Sequence, residues 1–176
     1  MSRASKSPWV TARNSKIHGK GLYARTPIPA GIRVIEYQGE RITKAESRRR
    51  ELRRLEAHAK GRPSSIFLFT LNKRHDIDGS TPANLARLIN HSCTPNCESR
   101  ILRGKIWIIS KRDIEQGAEL SFDYGFPVVE WRDHPCLCGS DKCAGYIVAK
   151  AQRRHLRKRI RVEKLKVRSQ RNVGRA

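Results

Sequence analysis

Three cysteines stand within one short stretch, Cys136, Cys138 and Cys143, in the pattern C-x-C-x4-C. Closely spaced thiolates of this kind suit a tetrahedral zinc ion, with Zn–S bonds of about 2.3 Å. Gly139 falls where a tight knuckle needs a permissive backbone. Three ligands leave a closed structural site one short. Cys93, Cys97, His91 and His134 are the candidates for the fourth, and a thiolate is the better match, which favours Cys93 or Cys97. Free cysteines also pack as small buried residues, but three so close together speak against that. The start of the chain, Met1-Ser2-Arg3-Ala4-Ser5-Lys6, has no apolar leader, so a disulfide framework is not expected.

These ligands need elements to hold them. Residues 1–8 read as a loose polar arm, and organised sequence begins near Trp9. Gly19-Lys20-Gly21 is a glycine-flanked loop, and Ile32, Val34, Ile35 and Tyr37 follow as a strand. Thr43 with Glu46 three residues on is a capping box. The helix that it opens carries Arg48, Arg49, Arg50, Arg53 and Arg54, shows Leu52 and Leu55 as a small apolar face, and ends near Gly61-Arg62-Pro63. Residues 66–71 read as a strand. Ile101-Leu102 and Ile106–Ile109 flank Arg103-Gly104-Lys105 as a hairpin, and Leu120 to Tyr124 is another short strand. Trp9 and Trp107 read as core residues; Trp131 has no assignment. The class is mainly β with short helices.

The chain has 176 residues and a formal charge of +22. Of that charge, a net +11 lies in residues 150–176, which hold 12 Lys or Arg and one acid, Glu163. So concentrated a field points to polyanions, DNA or RNA first. Leu156, Ile160, Glu163 and Val167 place this tail either as a basic amphipathic helix or as a segment disordered without its partner. No apolar run is long enough to span a membrane.

The segment 84–97, Asn-Leu-Ala-Arg-Leu-Ile-Asn-His-Ser-Cys-Thr-Pro-Asn-Cys, closely resembles the central motif of SET-domain lysine methyltransferases. His18-Gly19-Lys20-Gly21-Leu22-Tyr23 resembles that family's N-terminal glycine loop, and Glu36-Tyr37-Gln38-Gly39-Glu40 its next strand. Residues 114–124, ending in Phe122-Asp123-Tyr124, resemble its C-terminal catalytic segment, and the cysteine cluster with Gly145-Tyr146-Ile147 resembles a post-SET zinc module. A glycine loop alone would carry little; the ordered set is specific.

The resemblance implies a SET-domain fold of small antiparallel sheets around a pseudoknot, over residues 9–126, with a basic helical insert at about 43–62. A post-SET module at 132–148 and a basic C-terminal tail at 149–176 follow. It implies an enzyme that moves methyl from S-adenosylmethionine to a lysine of a histone, nucleoid or ribosomal protein, working as a monomer with one structural zinc. The alternative is a nucleic-acid-binding module on a degenerate scaffold, but Asn90, His91, Phe122, Asp123 and Tyr124 are all intact. Tyr124 is implied as the active-site tyrosine, with Tyr37 beside it. Phe122 stands at the switch position that sets product state and leans toward di- or trimethylation. His18, Gly19, Lys20, Gly21, Asn90, His91, Leu137 and Tyr146 are implied cofactor contacts. Cys93 is implied as the fourth ligand beside Cys136, Cys138 and Cys143, leaving Cys97 as an ordinary small residue. Phe67 stands where many relatives have a cofactor-contacting tyrosine. The arginine helix, with a net +5 over residues 44–62, would repel a basic peptide unless acids such as Glu98, Asp76, Asp78 and Asp133 line the groove. The expected location is inside a cell: a bacterial nucleoid, a eukaryotic nucleus, or a host nucleus reached by secretion.

Overall fold

The computed structural model describes residues 7–62 and 65–173. Among the described residues ten short strands form four small sheets, and there are two α-helices. The strands are β1 (Val10–Asn14), β2 (Lys20–Ala24), β3 (Arg33–Tyr37), β4 (Glu40–Thr43), β5 (Leu68–Thr70), β6 (His75–Asp78), β7 (Asn90–His91), β8 (Cys97–Leu102), β9 (Lys105–Ser110) and β10 (Ser121–Phe122). The helices are α1 (Lys44–Ala59) and α2 (Arg153–Val173). The sheets run β1-β2, β3-β9-β8, β4-β6-β5 and β10-β7. Every pairing in the first three is antiparallel. The expected mainly β architecture of small antiparallel sheets holds. Among the described residues no helix is long and apolar enough to cross a membrane.

Local chemistry explains the boundaries. The β8–β9 hairpin turns on Arg103 (φ 50°) and Gly104 (φ 75°). Two successive positive φ values are the mark of a type I′ turn, whose twist matches the strands it joins. Thr43 caps α1 by accepting the Glu46 N–H at 3.2 Å. The strand expected over 66–71 is shorter, because the N–H groups of Leu71 and Asn72 both turn back to the His75 carbonyl. Position 63, where the helix was expected to stop, lies outside the described residues, as do residues 1–6 of the arm. Ser7 already bonds the Val34 carbonyl at 2.6 Å, so ordered chain begins ahead of Trp9. The tail is helical over Arg153–Val173.

The chain divides into two compact units: the stretch up to Asn90 together with Asn96–Ser121, and His91–Pro95 together with the stretch from Phe122 onward. The first unit's core includes Leu22, Ile28, Ile35, Ile106, Ile108 and Leu120, all essentially sealed from solvent. Trp107 is only half-buried: it alternates with Ile106 and Ile108 along β9 and takes the Arg33 guanidinium on its ring. Trp9 is likewise half-buried, so neither is the core residue expected. Trp131 is one, packing with Val148 and Leu156 at the centre of the second unit.

The domain limits read from the motifs, 9–126, 132–148 and 149–176, differ from this division. The cysteine-rich segment and the start of the basic tail share one unit with His91–Pro95, because Leu156 and Val148 are fully buried together.

Candidate active site and metal centre

In the first unit the glycine loop is held from below. The Asn90 amide shares its N–H groups among Ser15 Oγ (3.0 Å), the His18 carbonyl (3.2 Å), the Lys20 carbonyl (3.2 Å) and Glu119 Oε1 (2.9 Å). Glu119 also accepts from Ser15 Oγ (2.7 Å) and the Tyr23 hydroxyl (2.9 Å). Burial first, then this bond to the Glu119 carboxylate, raises the Tyr23 pKa. A Cβ on Gly21 would collide with the same carboxylate, so glycine there lets the chain lie against Glu119. The result is a loop whose backbone at His18, Gly19 and Lys20 is exposed yet tied down on its inner side. Ser15 and Glu119 do this tying, and neither stood out in the sequence. Glu119 lies inside the 114–124 motif, where its role was masked by its neighbours.

Tyr37 is buried in the same unit. Its hydroxyl donates to the Phe67 carbonyl at 2.9 Å, its ring packs on Phe69 at 5.2 Å, and Gly79 leaves room for it. The Phe67 ring carries the Arg87 guanidinium at 5.4 Å. Asp76 and Asp78 do not line a groove. Both are buried, and they pair with Lys44 and with Arg50 and Arg54 of α1. Burial alone would raise the Asp78 carboxyl, yet hydrogen bonds from Arg50, Ser80 and Arg54 bring it down to about 2.

In the second unit Tyr124 is half-buried within a ring of aromatics: Phe122 at 5.0 Å, His91 at 5.4 Å edge-on and Phe126 at 5.7 Å. His91 Nδ1 accepts the Tyr124 backbone N–H at 3.2 Å, which fixes the tyrosine's main chain. Burial, with the nearby Arg153 charge, pushes the imidazole down to about 4, against the pull of Asp123. A neutral ring is what that accepted bond requires.

Asp123 is the second anchor. Its carboxylate accepts from Gly125 N (3.1 Å), Lys150 N (2.9 Å) and Arg153 Nη2 (3.0 Å). Arg153, itself buried, also donates to the Cys93 carbonyl (2.7 Å) and the Val148 carbonyl (3.1 Å). Reading Arg153 as one more charge of a solvated tail hid this role. It is the peg that seats α2 beside the tyrosine segment and the cysteine cluster.

The sulfurs of Cys93, Cys136, Cys138 and Cys143 all lie within 4.8 Å of one another, with Cys93 and Cys136 3.9 Å apart. A tetrahedron with Zn–S bonds of about 2.3 Å has S···S edges of about 3.8 Å. A small antiparallel pairing of residues 134–136 with 145–147 brings the two halves of the cluster together. Backbone N–H groups point at the sulfurs: Cys93 N to Cys138, Ala144 N to Cys93 and Gly145 N to Cys143, at 3.4–3.5 Å. Burial alone would raise the Cys138 thiol, but Ser140 and the Cys93 N–H lower it to about 6. Burial pushes Cys93 and Cys136 up, and the charge of a neighbouring thiolate adds to the rise. The donor set, spacing and N–H bonds fit a closed structural zinc site. Of the four candidates for the fourth ligand, Cys93 joins the cluster. Cys97 is fully buried elsewhere, its thiol pushed up to about 12 by burial. Tyr146 stands edge-on to Trp131 at 4.4 Å, and Leu137 is largely exposed.

Comparison with known proteins agrees with this geometry. The SET domain family matches residues 19–125. A protein of Emericella nidulans named "Histone-lysine N-methyltransferase, H3 lysine-4 specific" is 41% identical over 149 residues, 81% of this chain and 12% of that protein. A Schizosaccharomyces pombe protein of the same name is 40% identical over 76% of this chain and 14% of its own length. "Histone-lysine N-methyltransferase trithorax" of Drosophila virilis is 38% identical over 79% of this chain and 4% of its own length. The chain thus spans a small part of each relative, and the family match, residues 19–125, takes in Gly19–Gly21, the Asn90–His91 strand and Tyr124: this chain belongs to the SET domain family.

Proposed function

We propose that this chain is a protein-lysine N-methyltransferase. The observation that carries the reading is Tyr124, half-buried among three aromatic rings, with its backbone fixed by a neutral His91. The names of the relatives, histone-lysine N-methyltransferases, point the same way.

When bound, S-adenosylmethionine supplies a methyl group on a positively charged sulfur. A lysine amine that took up this methyl would leave S-adenosylhomocysteine behind and give its surplus proton to solvent. The chain must therefore present a neutral amine, although free lysine has a pKa of about 10.4. Phe122, Phe126 and the Tyr124 ring make an apolar surrounding that disfavours the ammonium. The Tyr124 hydroxyl orients the amine. From the first unit, His18, Gly19, Lys20, Gly21 and Asn90 hold the cofactor through an exposed, braced backbone. His91, Leu137 and Tyr146, which the resemblance implies as cofactor contacts, belong to the second unit, where the Tyr146 ring stands edge-on to Trp131. Zinc is held by Cys93, Cys136, Cys138 and Cys143 and keeps the second unit folded.

Phe122 brings no hydroxyl to the tyrosine's neighbourhood. The product is accordingly expected to pass beyond the monomethyl state. The substrate class is a histone or another nucleic-acid-associated protein, met by a monomer in chromatin or a nucleoid. Contact of the basic tail with DNA or RNA would raise the local concentration of such substrates.

The test is methyl transfer from radiolabelled S-adenosylmethionine, with the zinc-loaded protein, to core histones, nucleosomes and a nucleoid and ribosome extract. Label on a protein band, lost in Tyr124→Phe, supports the reading. Absence of both label and cofactor binding overturns it. Mass spectra that stay at monomethyl-lysine at long times overturn the role given to Phe122.

A further inference from the structure

The five exposed cations Arg154, Arg157, Lys158, Arg161 and Lys164 recur at spacings of three and four along α2. That spacing sets them on one side of the helix, over a length of about 15 Å. Among the described residues none of the five has an acidic partner. The helix's one acid, Glu163, pairs with Arg132 instead. The flank of α2 beside this row is engaged: Arg153 and Leu156 are buried and Ile160 is partly so. The five cations themselves stay exposed and are not among the residues that seat the helix. Like charges at these spacings repel along a helix, so the row is an arrangement that an anion would relieve.

We propose that this face of α2 is a docking surface for the phosphate backbone of duplex DNA. Five charges over about 15 Å is one per roughly 3 Å, close to the about 3.4 Å between successive phosphates of one strand along the duplex axis. An α-helix fits the B-form major groove, about 12 Å wide, whereas the deep, narrow major groove of A-form RNA does not admit it. The face contacts backbone rather than base sequence, because it offers cations and no exposed Asn or Gln among Arg154–Leu165. The inference rests on charge placement in the second unit and stands whether or not the chain transfers methyl groups.

The experiment is fluorescence anisotropy of the full, zinc-loaded chain on a mixed-sequence duplex of about 20 base pairs (long enough for several helical contacts), from 50 to 200 mM salt. Two triple variants run beside it: R154Q/K158Q/R161Q on α2, and R48Q/R49Q/R53Q on α1, which removes the same charge elsewhere. The α2 variant should bind at least about tenfold more weakly, with the slope of log K against log salt reduced by about 3, at roughly 0.9 per lost phosphate contact. The α1 variant should keep the parent affinity and slope. Circular dichroism of the α2 variant should match the parent, since all three positions are exposed. Equal losses in the two variants would show that total charge and not this face is read, and would overturn the proposal. Tighter binding to an A-form RNA duplex than to DNA, or no binding to DNA at 50 mM salt, would overturn it as well.

Discussion

Two helices of this protein are crowded with arginine, and they treat the charge in opposite ways. In α1 every one of the six cations has an acid beside it. Lys44 pairs with Asp76, Arg48 with Glu51, Arg49, Arg50 and Arg53 with Glu46, and Arg50 and Arg54 with Asp78. Asp76 and Asp78 come from β6, and Glu40 of β4 gives Arg50 a further partner; both strands lie next to the helix. The net charge counted over 44–62 thus overstates what a substrate would meet, and the repulsion expected of this helix is largely cancelled. Among the described side chains of α2 only the first cation, Arg153, is paired with an acid, and it is buried. A count of residues gives two basic helices; the structure gives one internal ion-pair network and one open cationic face.

The comparison can be broken at its most buried point. Asp78→Ala leaves Arg50 and Arg54 facing an empty anion site, which should lower unfolding stability by about 4 kcal/mol in a urea titration. A loss below 1 kcal/mol would mean that the α1 network is ornamental. Leu156→Ala attacks the other helix by removing a fully buried side chain between Trp131 and Val148. A loss of about 3 kcal/mol is expected, with helical circular dichroism falling if α2 detaches. Unchanged stability would detach α2 from the core assigned to it.

Acid sharpens the contrast. The Asp78 carboxyl titrates at about 2 in the folded chain, against about 3.9 unfolded. The folded value is the lower, so its contribution is fully present above about pH 4 and is lost as pH falls toward 2, by about 2 kcal/mol. Asp78→Asn should lose less stability than the parent between pH 5 and 2.5; parallel curves would contradict the assignment. At the small end, Arg48→Gln with Arg53→Gln removes exposed pairs and should change stability by no more than about 1 kcal/mol. A larger loss would show the outer pairs to be structural too.

Much of the site was legible in residue order. The C-x-C-x4-C pattern, the capped helix at Thr43, the Arg103-Gly104 turn and the ordered motifs were each written in contiguous residues, because turns, caps and metal knuckles are set by neighbours in the chain. The choice between Cys93 and Cys97 was not legible from spacing. It depends on which sulfur the fold carries to within 4.8 Å of the other three. Nor was the fate of Asp76 and Asp78, which the sequence offered, against the alternative of a less basic substrate, as acids to line a groove, and which serve as counter-charges under α1. Glu119 as the brace of the glycine loop, and Arg153 as the peg of α2, were likewise hidden. Their partners lie far away in sequence, Ser15 and Asn90 for one, Cys93 and Asp123 for the other.

The chain's order of residues by itself determined the family, the local turns and caps, and the amount of charge. Only the tertiary structure decided which charges are neutralised, which thiols meet and which face of α2 stays open, because burial and counter-charge are properties of residues brought together from distant parts of the chain.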